Sequence, residues 1–239
     1  MENTAKRATG MTESSADAFL TSLRLADSFL PVGAYTASYG IEQFIQTDRI
    51  DDAADLRAVL DDYLRSVVGP AEIVALGNAH TAAAREDGEA LIEIDRRLHS
   101  MTVPAEFRES SEKAGEQVLS LFDGGTTAPA YLAAVEDGRA PGNYVVALAA
   151  IAQQRGLSRE QACLVHGYSF VTDLLGAAQR LGRLAHTDIQ RILDELRPVL
   201  TEVVDRYHNR PLDAMWSFAP TTELMGMGHE RADRRLFMS

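Results

Sequence analysis

The chain has 239 residues, with 23 lysines and arginines against 35 aspartates and glutamates, so its formal net charge is −12. A composition that is 46% hydrophobic suits one large globular domain or two small ones. The acidic balance argues against general nucleic-acid binding, which needs a basic face. The sequence has no apolar run of about 18 residues, the length that would predict a membrane span, and no secretory leader. Because Cys163 is the only cysteine, we expect no internal disulfide and a cytoplasmic protein.

Arginine supplies almost all of the positive charge, since Lys6 and Lys113 are the only lysines. An acidic surface that is poor in lysine suits a salt-rich cytoplasm, where screening suppresses self-repulsion. We therefore hypothesise a halophilic source.

Apolar residues recur with helical spacing from Asp17 onward. Leu56, Leu60 and Leu64 belong to the apolar stripe of a helix predicted over 52–68, and Gly69–Pro70 is expected to end it. Further helices are predicted over 71–86, 89–100, 104–122 and 143–155, with loops over 123–129 and 137–143.

The second half of the chain contains two capping-box patterns, Ser158 with Gln161 and Thr187 with Gln190. The first opens a helix over 159–181 that is apolar nearly all round, which is typical of a central, buried helix. The second opens a helix that Pro198 is expected to kink.

The predicted fold is all-α, because no segment shows the alternation of a strand. We expect a single-domain bundle of about nine or ten helices around the central apolar helix. Residues 1–16 are predicted to be a disordered segment, residues 17–206 the helical domain, and residues 207–239 an irregular segment that docks on a partner.

Motifs for catalysis and cofactor binding are missing. The sequence has no P-loop, no dinucleotide-binding glycine pattern and no paired histidines on one helix face. Cys163 lies in the apolar helix, where a thiol is usually inert. We therefore predict a protein that is not an enzyme and has no cofactor or bound metal.

Four patches, in order along the chain, carry a resemblance to the urease accessory protein UreF family. The third differs from the family at Ala185–His186, where Gly-Gln is usual. The patches are LRLADSFLPVGAYTASYGIE (23–42), EFRESS (106–111), LGAAQRLGRLAHTDIQRIL (175–193) and MGHERADRRLFMS (227–239).

The resemblance implies an all-α, dimeric, non-enzymatic chaperone. Proteins similar to this one bind UreD (also called UreH) and the GTPase UreG, and the complex delivers nickel to apo-urease. We thus expect UreD, UreG, apo-urease through the complex, and a second copy of this chain as partners, and neither nucleic acid nor membrane.

The resemblance also implies partner-binding positions. In the last patch they are His229, Glu230, Arg235, Leu236 and Phe237. In the first patch they are Pro31, Gly33 and Glu42.

An alternative from another class is a metal carrier or an enzyme whose site is assembled across helices. It would use carboxylates such as Glu42 or Glu106 together with His229.

Overall fold

Helices and short turns make up the fold in the computed structural model, which describes residues 13–27, 30, 38–122, 128–182, 184–229 and 237. Within these residues the backbone forms helices and no strand, so the all-α prediction is confirmed. Residues 1–12 lie outside the described part. The helices are α1 (Glu13–Leu25), α2 (Ile41–Gln46), α3 (Ala53–Tyr63), a π-helical segment (Leu64–Ile73), α4 (Val74–Ala84), α5 (Gly88–Met101), α6 (Ala105–Leu121), α7 (Pro129–Glu136), α8 (Tyr144–Gln154), α9 (Arg159–Arg180), α10 (His186–Tyr207), a 3₁₀ turn (Leu212–Ala214) and α11 (Pro220–His229).

Two helices form the centre of the core. The predicted central helix, α9, packs against α1, α2, α4, α8, α10 and the π-helical segment. Helix α8 is buried even more completely, because every residue from Val145 to Ala152 is buried. No helix of the described ranges is long and apolar enough to span a bilayer.

Gly69–Pro70 does not end the first long helix, so that prediction is wrong. The backbone continues from α3 through a π-helical segment into α4. Pro70 lacks the N–H that would bond to the carbonyl of Ser66 in an α-helix. The N–H of Phe218 donates to that carbonyl instead, at 3.1 Å, and the N–H of Trp216 donates to the carbonyl of Pro70 at 3.2 Å. A segment from far along the chain therefore stabilises a turn that local rules would break.

One predicted capping box is confirmed and the other is wrong. The Ser158 hydroxyl accepts from the N–H of Gln161 at 3.1 Å, and the Gln161 side chain accepts from the N–H of Ser158 at 2.8 Å. Helix α10 begins earlier than Thr187 would place it, because the Asp188 carboxylate accepts from the N–H of Ala185 at 3.2 Å.

The segment 207–239, predicted to be irregular, contains a helix. Pro220 is the first residue of α11, where the N–H that proline lacks would have no partner within the helix. Glu223 lies in the electropositive first turn. Glycines at 226 and 228 weaken the helical signal in the sequence. Helix α11 packs on α2 and α6, which brings together segments that are far apart in sequence.

A buried carboxylate fixes the start of α8. Asp95, on α5, has no exposed surface. It accepts hydrogen bonds from the Tyr131 hydroxyl (2.9 Å), the N–H of Gly142 (2.7 Å), and the N–H (3.0 Å) and side-chain amide (2.7 Å) of Asn143. We call Asp95, Tyr131, Gly142 and Asn143 the Asp95 clamp. The Asp95 carboxylate accepts hydrogen bonds from N–H groups at the start of α8, where the N-cap residue provides no side-chain cap.

Candidate functional site

A tight turn at Tyr39–Gly40 leads the first motif patch into α2. Both residues have positive φ, 45° and 82°, a conformation that glycine adopts freely and tyrosine does not. A side chain at Gly40 would place its Cβ 3.3 Å from the backbone nitrogen of Gly226 on α11. This turn therefore presses the start of α2 against α11.

Helix α11 is pressed equally closely against the second motif patch. A Cβ at Gly226 would lie 2.6 Å from the Cζ atom of Phe107 and 3.0 Å from the Cγ atom of Pro104. Segments from residues 39–46, 104–107 and 220–229 thus meet at one junction.

His229 lies at the centre of this junction, with its side chain only 1% exposed. Its Nδ1 atom is 2.7 Å from Glu106 Oε2, and its Nε2 atom is 3.0 Å from Glu42 Oε2. An ionised carboxylate only accepts hydrogen bonds, so both ring nitrogens carry a hydrogen when both glutamates are ionised. We call Glu42, Glu106 and His229 the His229 bridge.

Further polar groups surround Glu42, which is 1% exposed. The Gln46 side-chain amide donates to its Oε1 atom at 3.0 Å, and the N–H of Phe237 donates to its Oε2 atom at 3.2 Å. Buried charges are tolerated when they are paired and hydrogen-bonded in this way.

Phe237 carries the contact to the third motif patch. Its residue is 8% exposed, and the guanidinium of Arg180, at the end of α9, lies 4.8 Å from the centre of its ring. This cation–π contact joins Phe237 to the end of α9. All four patches of the family resemblance therefore contribute to one junction.

Three of the predicted partner-binding residues, Glu42, His229 and Phe237, come together here. The other five lie outside the described residues: Pro31, Gly33, Glu230, Arg235 and Leu236. Arg180 and Gly226 were not predicted, although both fall in or beside the motif patches. Glu106 was considered only as a ligand in the metal alternative.

The bridge geometry does not favour that alternative. Each ring nitrogen of His229 already faces a carboxylate oxygen, so neither offers a free lone pair to a metal ion. Among the described side chains, no group of three histidines, cysteines or carboxylates is arranged to hold a metal. The arrangement is suited to joining distant segments of the chain.

The fold and the junction define an all-helical protein in which α11 is joined to α2 and α6. Comparisons with known proteins identify its family. The UreF family model matches residues 50–197. The urease accessory protein UreF of Trichodesmium erythraeum is 32% identical over 222 residues, which are 91% of this chain and 95% of that protein.

Two further relatives are also named urease accessory protein UreF. The one from Bacillus sp. (strain TB-90) is 29% identical and covers 92% of this chain and 98% of its own length. The one from Yersinia pseudotuberculosis is 27% identical, and the match covers 90% of this chain and 95% of that protein. The chain belongs to the UreF family, and membership implies a role in urease maturation.

Proposed function

We propose that this chain is a non-enzymatic chaperone of urease maturation in the cytoplasm. It binds UreD (UreH) and the GTPase UreG, and the complex supports nickel insertion into apo-urease. The observation that supports this most is the junction, where the patches of the UreF resemblance meet around His229. In this role the bridge positions α11 for a partner.

Exposed apolar side chains beside the junction supply a docking surface. Trp216, Phe218 and Leu224 are 45%, 72% and 60% exposed. The backbone of the first two is bonded to the π-helical segment, so their position is fixed. Large apolar side chains held in solvent are typical of a binding surface, and we assign this one to UreD.

A second apolar surface lies on α1. Phe19, Leu20 and Leu23 are 54%, 63% and 52% exposed. Positions 19, 20 and 23 share one side of a helix, so a second copy of the chain would meet the same surface in a symmetric dimer. We assign the homodimer contact to this face.

The test is size-exclusion chromatography with light scattering on the chain mixed with its cognate UreD and UreG in molar salt. We expect a stable complex with two copies of each protein. A monomer that binds neither partner would refute the proposal.

Two single substitutions serve as controls for each other. Phe218→Ser should remove UreD binding and leave the homodimer, whereas Leu23→Ser should weaken the homodimer and leave UreD binding. Both residues are exposed, so neither change should alter the helix content seen by circular dichroism. Loss of both interactions in both variants, or of neither, would contradict the assignment of the two surfaces.

Nickel binding by the isolated chain tests the competing metal-carrier hypothesis. Because His229 is engaged at both nitrogens, we expect equilibrium dialysis with Ni²⁺ to show no stoichiometric binding at sub-micromolar concentration. Tight binding that Glu42→Gln or Glu106→Gln abolishes would favour the metal carrier instead.

A further inference from the structure

A cavity beside the junction has no part in the role proposed above. It is lined by residues of α5, α6, α9, the π-helical segment and residues 217–223, and its volume is about 80 Å³. One water needs about 10–15 Å³ of such space. The cavity therefore has room for several waters or for the head group of a small organic cation, such as a guanidinium.

One wall of the cavity is a continuous aromatic cluster. The ring of Tyr39 lies 5.1 Å from that of Phe107 and 5.6 Å from that of Phe170, and Phe170 lies 5.4 Å from Tyr63. Tyr144 lines the cavity as well. Burial raises the pKa of Tyr39, Tyr63 and Tyr144 above the ordinary value, so the phenols stay neutral. Neutral aromatic rings attract cations through their faces.

The wall also contains two carboxylates and a histidine. Glu72 and Glu223 line the cavity, and the Glu72 Oε2 atom is 2.8 Å from His166 Nε2. The side chain of His166 is 6% exposed, and its Nδ1 atom is buried without a hydrogen-bond partner among the described residues. When Nε2–H donates to Glu72, a neutral imidazole leaves Nδ1 as an acceptor. A buried polar atom without a partner indicates a missing donor.

We propose that this cavity binds an organic cation with N–H donors, of the guanidinium or alkylammonium class. The aromatic wall receives the charge, Glu72 neutralises it, and His166 Nδ1 accepts one of its hydrogens. An anion would be repelled by Glu72 and Glu223, and a neutral hydrocarbon would leave Nδ1 without a donor. The cation is either a free small amine or an arginine side chain of a partner protein.

The test is isothermal titration calorimetry on the full chain with three probes. Agmatine represents a free amine, N-acetyl-arginine methylamide represents an arginine side chain within a protein, and N-acetyl-citrulline methylamide is its uncharged counterpart. We expect saturable binding of at least one cationic probe. The affinity for the citrulline compound should be lower by about tenfold or more. Tighter binding of agmatine identifies a free amine as the source, and tighter binding of blocked arginine identifies a partner protein.

Matched substitutions separate this site from attraction to the acidic surface. Glu72→Gln should lower the affinity for the cationic probe by about tenfold, because it removes a negative charge from the cavity wall. Glu93→Gln removes the same charge from an exposed position on α5 and should leave affinity within about twofold.

Three results would overturn the proposal: no binding of either cation at millimolar concentration, equal affinity for the citrulline compound, or unchanged affinity in Glu72→Gln. Circular dichroism and thermal melting check that Glu72→Gln is folded. If Glu72→Gln unfolds, Glu223→Gln replaces it as the test variant. Its expected loss of affinity for the cationic probe is about threefold. The probes do not enter the test of the chaperone role, so cation binding can fail while that role stands.

Discussion

The Asp95 clamp and the His229 bridge stabilise buried carboxylates in two different ways. Asp95 receives four hydrogen bonds from neutral donors that all lie within 50 residues of it in sequence. Glu42 and Glu106 share one histidine that lies 187 and 123 residues away from them. The clamp therefore joins elements that are close in sequence, whereas the bridge joins α11 to segments that are far from it in sequence.

The largest expected effect comes from breaking the clamp. Asp95→Ala leaves up to four buried donors without a partner, at about 1–3 kcal/mol each before relaxation, so we expect a loss of about 4 kcal/mol in the free energy of unfolding. Urea denaturation measures it. Asp137→Ala, at an exposed carboxylate, is the control and should change little. A loss below about 1 kcal/mol would show that water replaces the carboxylate easily.

Breaking the bridge should act locally. His229→Ala leaves Glu42 and Glu106 buried without their shared partner, which costs about 3 kcal/mol where the segment cannot move. Because α11 packs mainly on α2 and α6 beside the bridge, we expect it to detach, so that backbone amides of 220–229 lose protection in hydrogen exchange while those of α8 keep it. His229→Gln, which can still donate to one carboxylate, should restore part of the protection. Uniform loss across both helices would mean that the bridge also secures the core.

Another carboxylate, Asp173, sharpens the comparison, because it belongs to neither the clamp nor the bridge. Burial raises the pKa of Asp173 to about 6, against the weaker opposing effects of Arg180 and His166. A raised pKa means that the protonated acid stabilises the fold, fully below about pH 3.8 and less and less as pH rises through 6. Between pH 5 and pH 7 the native chain should therefore lose about 1.5 kcal/mol of stability from this group.

Asp173→Asn removes that dependence. Urea denaturation of both proteins at pH 5 and pH 7 isolates the effect, since all other titrating groups are shared. The variant should be the more stable protein at pH 7, and its advantage should shrink at pH 5. An advantage that does not change with pH would mean that Asp173 stays ionised in the fold.

The sequence predicted what depends on neighbours along the chain and missed what depends on distant ones. The helices α5, α6, α8 and α9 follow from apolar periodicity, and the cap of α9 follows from Ser158 and Gln161 three residues apart. Pro70 was expected to end a helix because its compensating donor, the N–H of Phe218, lies 148 residues further on.

The junction shows the same limit. Motif resemblance predicted partner-binding roles for Glu42, His229 and Phe237, but it predicted no contact between them. The metal alternative did combine Glu42, Glu106 and His229, yet residue types alone could not distinguish metal ligands from a hydrogen-bonded bridge. Only the placement of a carboxylate at each ring nitrogen distinguishes them.

The smallest expected effect tests the packing of the junction without touching its charges. Gly226 and Gly228 lie on the same helix, α11, and an added methyl group meets different surroundings at each. At Gly226 it would come within 2.6 Å of Phe107 Cζ, whereas at Gly228 its nearest neighbour is Gln43 Cγ at 3.6 Å, an ordinary contact. Gly226→Ala should therefore lower the free energy of unfolding by about 1 kcal/mol through overpacking. Gly228→Ala should leave it unchanged or raise it by up to about 1 kcal/mol, because alanine favours helix. Thermal melting of the two variants measures the difference, and equal melting temperatures would mean that α11 is not pressed against α6 by the bridge.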